Sequence, residues 1–508
     1  MRFVFLLLLA LIAPPASAAT TGAIDWHTGD VDSAFAQAKR EGKPLFLYWG
    51  AVWCPPCNQV KATIFPRQDF IARSRLFVPV YLDGDAPNAQ RIASRFKVSA
   101  YPTMILFRPD GAEITRLPGE VDGQRYMQVL ALGMNAARPV RSLLAAALKR
   151  APRLTADEWR QLAFYSWETD HQALVPKGQL APTLWRLALA SASAPDAATR
   201  FTLKAVAAAA DAKERDDSGI DKRVALARIE RVLVDPRLAR ASFVELTYGA
   251  QDVVGYLTAT GTPARARLQR DWDQRLTQFS ADGGLSRLDR LAAADARVAL
   301  ARLDAPKAAL PIALQTEVRG VVLRADRDAT DRYERAAVIP AAAELLTDAD
   351  LLADSDALLQ SEMRRSATPY YLMLGLAANA RKRGDSTAAL RWHEQAYAAA
   401  QGPATRLQWG SSYVRALVDL APQDADRIER AATSVIGDIE PAPDTFYERN
   451  RTALDRMGAK LTQWNRDGSR EAVLVRLRAR LRAVCGQLPA GVPERATCEQ
   501  VLAPKASS

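Results

Sequence analysis

The stretch from Pro44 to Cys57, PLFLYWGAVWCPPC, constrains this chain more than any other. It joins an apolar, aromatic-rich run (Leu45, Phe46, Leu47, Tyr48, Trp49) to a Cys-x-x-Cys pair, Cys54 and Cys57. A run of that length and composition predicts a buried strand. The pair then falls where the strand hands over to a helix, predicted from Asn58 to Ile64. Two cysteines at this spacing share the first turn of that helix, close enough to form a small-ring disulfide. A helix N-terminus offers unpaired N–H groups and partial positive charge. A thiolate placed there is stabilised, so its pKa is expected to fall. Cys54 is then expected to attack and Cys57 to resolve the mixed disulfide. Two other uses of such a pair exist. Half of a zinc site needs two further ligands at suitable spacing, and the remaining cysteines, Cys485 and Cys498, lie far away while His27, His171 and His393 are scattered singly. An inert bridge is the other alternative for an exported chain. The order of strand, Trp53, CPPC and helix favours a redox pair.

Export is predicted from the start of the chain. Met1 and Arg2 precede an almost wholly apolar run, Phe3–Ala13, followed by Pro14-Pro15 and the small-x-small triplet Ala16-Ser17-Ala18. That pattern predicts a signal peptide over residues 1–18, cleaved after Ala18. The apolar run is too short to span a bilayer. The expected product is periplasmic, carried across the inner membrane, with no transmembrane segment left. Such a compartment is oxidising and permits cysteines to pair.

At 508 residues the chain is too long for one ordinary domain. Its net charge of +11 is spread with both signs interspersed, as on solvated helix faces. No basic stripe or aromatic platform suggests nucleic acid.

The first part alternates strand and helix signals. Val31–Arg40 reads as a short amphipathic helix stopped at Gly42. Phe77–Leu82 reads as a strand, with Pro79 marking an irregular or edge position. Ala89–Phe96 reads as a helix, Met104–Phe107 and Glu113–Leu117 as a hairpin around Pro109-Asp110-Gly111, and Gln124–Met134 as a closing helix. This argues an α/β domain with a central sheet.

The order and motifs resemble the thioredoxin superfamily, nearest to the exported domains of thiol–disulfide interchange proteins. The residues are Trp53-Cys54-Pro55-Pro56-Cys57, the lead-in Glu41-Gly42-Lys43-Pro44, and Val98-Ser99-Ala100-Tyr101-Pro102-Thr103. The resemblance covers about residues 24–135. It implies a central mixed sheet flanked by helices, a cis proline at Pro102 beside the sulfurs, and a substrate groove framed by Trp53, Tyr101 and Pro102. It also implies protein thiols or disulfides as substrates and a membrane partner as electron donor. No metal or organic cofactor is implied. The chain departs from the family in three places. Tyr48 holds the position, six residues before the first cysteine, where reductants often bury a carboxylate. The accompanying lysine has its place near Pro79, and Val52 stands where an acidic residue is common. Help in deprotonating Cys57 is therefore expected from water, Tyr48 or another group. Pro55 and Pro56 supply neither N–H nor cation to a thiolate, which leans toward a reductase or isomerase.

From Pro139 onward the composition turns to Ala, Leu, Arg and Asp, which predicts a mostly α-helical array. The expected divisions are 19–138, 139–365 and 366–508. Arg141–Lys149, Glu158–Glu168, Arg200–Asp211, Asp221–Val234 and Glu471–Val484 read as amphipathic helices, one opened by a capping box at Thr155. Leu372–Ala400 resembles one degenerate tetratricopeptide unit turning at Gly384, with Ala377, Ala389 and Ala396 at its packing positions; a non-repetitive array is the plainer reading. His393 and the clusters Trp159/Phe164/Tyr165/Trp167 and Tyr370/Tyr371 read as packing residues. Cys485 and Cys498 flank a Pro- and Gly-containing loop and are expected to close it as a structural disulfide, rather than to act as a second redox pair. Two functions follow as expectations: an exported thiol–disulfide oxidoreductase with a helical partner-binding region, or a helical adaptor that uses the N-terminal domain for docking.

Overall fold

The computed structural model describes residues 23–503 apart from 120–121, 150–152, 168, 171–173, 177, 213–217 and 440–442. The predicted signal peptide and His171 lie outside the described residues. The N-terminal domain runs α1 (Val31–Glu41), β1 (Leu45–Gly50), α2 (Pro55–Thr63), α3 (Gln68–Ser74), β2 (Val78–Asp83), α4 (Ala89–Arg95), β3 (Thr103–Phe107), β4 (Glu113–Leu117) and α5 (Gly123–Met134). The sheet order is β2-β1-β3-β4. β1 pairs parallel with β2 and antiparallel with β3, and β3 pairs antiparallel with β4. A mixed sheet results, with helices on its faces.

The residues account for these elements. β1 is buried along its whole length, as a central strand between two neighbours should be. Pro79 lacks an N–H and sits on the edge strand β2, where no ladder bond is lost. Gly42 stops α1 in the left-handed conformation (φ 63°), which costs glycine nothing. α3 was not visible in the sequence pattern. It is a single short helix whose N-cap, Arg67, makes no side-chain capping bond.

The rest of the described chain is helical. The helices Val140–Lys149, Pro195–Asp211, Lys222–Val234 and Glu471–Cys485 cover four of the segments read from periodicity. The fifth is shorter than its pattern: it runs Ala156–Ala163, after which Trp167 turns back to donate its indole N–H to the Leu162 carbonyl at 3.2 Å. The Ser166 amide donates to Arg116 of β4 at 3.1 Å. Tertiary bonds thus end the helix before its apolar spacing does. The Leu372–Ala400 segment forms two helices, Pro369–Lys382 and Ser386–Ala399, joined at Gly384 (φ 80°), with Ala377, Ala389 and Ala396 buried.

The two regions do not sit apart. A single apolar core holds Phe46, Cys54, Cys57, Met104 and Leu130 together with Tyr370, Ala396 and Trp409. The helix Arg332–Asp348 packs along α2. Gln59 of α2 donates to the Ser286 hydroxyl at 2.9 Å. Among the described residues no helix is long and apolar enough to cross a membrane.

Candidate active site

β1 delivers the chain to Gly50, and Ala51–Trp53 turn it into α2. Cys54 is the N-cap of that helix (φ −75°, ψ 115°), and its sulfur accepts from the Cys57 amide at 3.3 Å. Pro55 and Pro56 fill the first two helical positions, where the missing N–H groups cost no intrahelical bond. Cys54 and Cys57 are unpaired thiols. The Tyr101–Pro102 bond is cis. Tyr101 packs its ring edge-on to Trp49 with centroids 4.5 Å apart, and its hydroxyl accepts from Gln90 Nε2 at 3.1 Å.

The helical region covers this site. Trp53 is 8 % exposed, Cys54 3 % and Cys57 0 %. The Trp53 indole N–H donates to Thr405 Oγ1 at 2.8 Å, across 352 positions of sequence. Its ring stacks on Tyr371 (centroids 5.7 Å apart, planes at 19°) and meets Trp409 edge-on at 4.8 Å. Asp85, just past β2, accepts from the Thr405 amide at 2.7 Å and from its hydroxyl at 2.6 Å. Asp85 thereby caps the helix Pro403–Leu420, whose own N-cap, Gly402, has no side chain to do so. A Cβ on Gly402 would stand 2.4 Å from Asp85 Cγ, and φ there is +87°. The Arg449 guanidinium lies 4.7 Å from the Tyr101 ring centre and 5.6 Å from that of Trp53.

This enclosure sets the thiol chemistry. Burial pushes the Cys54 thiol well above its usual range, and the neighbouring Cys57 adds to the rise; the Cys57 amide and Arg449 oppose it. Helix-end stabilisation of a Cys54 thiolate, expected from the sequence, is outweighed here because the covering helices exclude water. Cys57 moves the other way. Its burial raises it, but hydrogen bonds from Cys54, the Ala51 backbone and Tyr48, with the charge of Lys61, hold it below its usual value.

A cavity of about 1080 Å³ opens between the two regions; Pro56 reaches its wall, while neither cysteine lines it. Pro56, Tyr101 and Pro102 line one side; Trp167, Leu184 and Tyr248 line the other. Trp53, by contrast, faces Thr405 and Tyr371. Cys485 and Cys498 are joined to each other, at the end of the helix Glu471–Cys485 and in the helix Pro493–Gln500. They belong to a different apolar core from the CPPC pair. Sequence reasoning missed Asp85, Tyr371, Thr405, Trp409 and Arg449 as parts of the site. Tyr371 was visible only as a member of an aromatic pair, and no local signal ties any of the five to the cysteines.

Residues 31–133 match the family described as Thioredoxin-like domain. Thioredoxin H4 of Arabidopsis thaliana is 30 % identical over 97 residues, which are 19 % of this chain and 77 % of that protein. The chain belongs to the thioredoxin family. Thiol:disulfide interchange protein DsbD 2 of Pseudomonas aeruginosa is 31 % identical over 102 residues, 19 % of this chain and 17 % of that relative. TPR repeat-containing thioredoxin TDX of Arabidopsis thaliana is 28 % identical over 102 residues, 20 % of this chain and 25 % of its own length. The chain therefore spans less than a fifth of the interchange protein, and the likeness concerns the thioredoxin-like domain.

Proposed function

We propose that the chain is an exported thiol–disulfide oxidoreductase that reduces or isomerises protein disulfides through Cys54 and Cys57. The observation that carries this reading is the CPPC pair at the start of α2, beside the cis Tyr101–Pro102 bond. In the forward direction the Cys54 thiolate attacks one sulfur of a substrate disulfide, and the other sulfur leaves as a thiolate that takes a proton from water. Cys57, as thiolate, then attacks Cys54. The substrate's second sulfur leaves with the bonding pair, and the Cys54–Cys57 disulfide remains. A dithiol donor returns two electrons for the next turn, and a membrane-bound one suits an exported chain. The helical region, in this reading, governs access. Closed, it keeps Cys54 dry and protonated; parted from the domain, it lets water in and the helix-end field acts on the thiolate. The same region recruits or orients the partner. Export is supported by the Met1–Ala18 pattern, and sequencing the mature N-terminus after secretion tests cleavage at Ala18.

The deciding experiment is the reduction potential of the Cys54–Cys57 pair in the mature protein, with capture of substrates by Cys57→Ala. A low potential and a trapped mixed disulfide support the reductase reading. A potential near the strong-oxidant end of the family reverses the direction. A pair that resists strong reductant removes the enzyme reading.

A second reading has its own support: the face around Trp53 is occupied by the chain's own helices. The thioredoxin-like domain would then serve as a docking module in a helical adaptor. A Cys54→Ser/Cys57→Ser protein with full biological activity would favour it.

A further inference from the structure

Tyr48 stands where reductants of this fold often bury a carboxylate, and the local geometry gives it a different task. Its ring is fully buried on β1. It stacks on Tyr81 (centroids 5.1 Å apart, planes at 23°) and meets Phe65 edge-on at 5.0 Å, which fixes where the hydroxyl points. The hydroxyl lies 3.4 Å from the Cys57 carbonyl oxygen, long for an O–H···O bond. Gly50 locates the sulfur relative to it. A Cβ at Gly50 would stand 2.8 Å from the Tyr48 hydroxyl oxygen and 3.2 Å from Cys57 Sγ. Oxygen and sulfur therefore flank one point, which glycine leaves empty.

We propose that the Tyr48 hydroxyl is the hydrogen-bond donor that holds Cys57 as a thiolate for the resolving step. The hydroxyl meets a poorly placed carbonyl, and the Cys57 sulfur borders the same open point at Gly50 as the hydroxyl does. Once Cys57 ionises, the charge-assisted bond to sulfur is the stronger. Tyr48 is no base: burial and the nearby Cys57 push its own pKa well up, so it keeps its proton throughout. Asp83, at the end of the neighbouring strand β2, accepts from the Tyr81 hydroxyl at 2.7 Å. Lys61, one turn along α2 from Cys57, lies 5.2 Å from the Tyr81 ring centre and adds positive charge on the same side. In the step itself the Cys57 proton has already gone to water. The Cys57 sulfur forms the bond to Cys54, the bond from Cys54 to the substrate sulfur breaks, and the released thiolate takes its proton from water. Tyr48 transfers nothing.

The role in resolution rests on the exchange reaction proposed above; the bond to Cys57 does not. Two measurements separate them. In a Cys54→Ser protein, the ultraviolet absorbance of the Cys57 thiolate is followed against pH, with and without Tyr48→Phe. The midpoint is expected to rise by about one pH unit, tenfold in the ionisation constant, because a donor to a charged group is lost. In the reduced full chain, Ellman's reagent reports two releases of thionitrobenzoate, the first from Cys54 attack and the second from Cys57 resolution. Tyr48→Phe is expected to slow the second about tenfold at neutral pH and leave the first unchanged, with the difference closing at alkaline pH. Gly50→Ala, which fills the point between oxygen and sulfur, is expected to do the same and serves if Tyr48→Phe is misfolded. An unchanged Cys57 midpoint overturns the proposal, as does equal slowing of both releases, the mark of a packing role. A wild-type chain that releases no thionitrobenzoate under any condition sinks the oxidoreductase reading and leaves the Cys57 titration to decide on Tyr48.

Discussion

The chain carries two cysteine pairs, and both are buried. Cys485 and Cys498 are separated by 13 positions and tie the last helices together inside a separate apolar core. Cys54 and Cys57 sit three apart at a helix start, among aromatic rings, with a backbone N–H aimed at the Cys54 sulfur and a phenol whose hydroxyl meets the Cys57 carbonyl. Burial alone makes a cysteine inert. What separates the pairs is the polar groups set around the Cys54 and Cys57 sulfurs. The second pair is joined to itself and packed among Leu477, Leu481 and Leu488.

That contrast can be broken most sharply by removing each pair. Cys54→Ser is expected to abolish disulfide exchange, and Cys57→Ala to leave a long-lived mixed disulfide that gel electrophoresis without reductant detects. Exchange that survives Cys54→Ser would mean that the wrong pair has been assigned. The double variant Cys485→Ser/Cys498→Ser is expected to lower unfolding stability by about 3 kcal/mol in a urea titration and to leave exchange rates untouched. A loss of exchange there would make the terminal pair a redox partner.

Smaller effects sharpen the role of the covering helices. Asp85→Ala leaves the Thr405 amide and hydroxyl without their acceptor and should loosen closure; alkylation of Cys54 is expected to become about tenfold faster at neutral pH. The pH profile gives the sign. Cys54 in the closed chain is pushed up by burial, so its thiolate forms only above the usual thiol range; in Asp85→Ala the alkylation midpoint should move down. A midpoint that does not move would show that covering helices do not control this thiol. Trp53→Phe keeps the apolar ring but loses the 2.8 Å bond to Thr405, and a change of a few-fold in the same assay is expected.

Much of the N-terminal domain was legible because its signals are local. An apolar run predicts β1, CPPC marks the start of α2, and Gly42 ends α1 by its left-handed backbone. Pro102 was placed by resemblance, through Val98–Thr103. Beyond Pro139 several helices were legible as periodic segments, though Ala156–Ala163 ends early for a tertiary reason that periodicity cannot carry. What the sequence hid is the meeting of distant parts. Asp85 reads as the end of a strand, Tyr371 as half of an aromatic pair, and Thr405 carries no local signal at all. Only the folded chain makes them the cover of Cys54. The fall expected for the Cys54 pKa reverses for the same reason: the helix end is local, and the water it needs is excluded by residues hundreds of positions away.

One further property follows from the way Asp85 caps the helix Pro403–Leu420. A helix that borrows its cap from another region carries a built-in gauge of whether the two are together. With the regions in contact the Thr405 amide is bonded at 2.7 Å; whenever they part, that amide faces water and the first turn loses its anchor. Hydrogen exchange at this single position thus reads the state of the cover from inside the protein, with no probe attached and no cysteine touched.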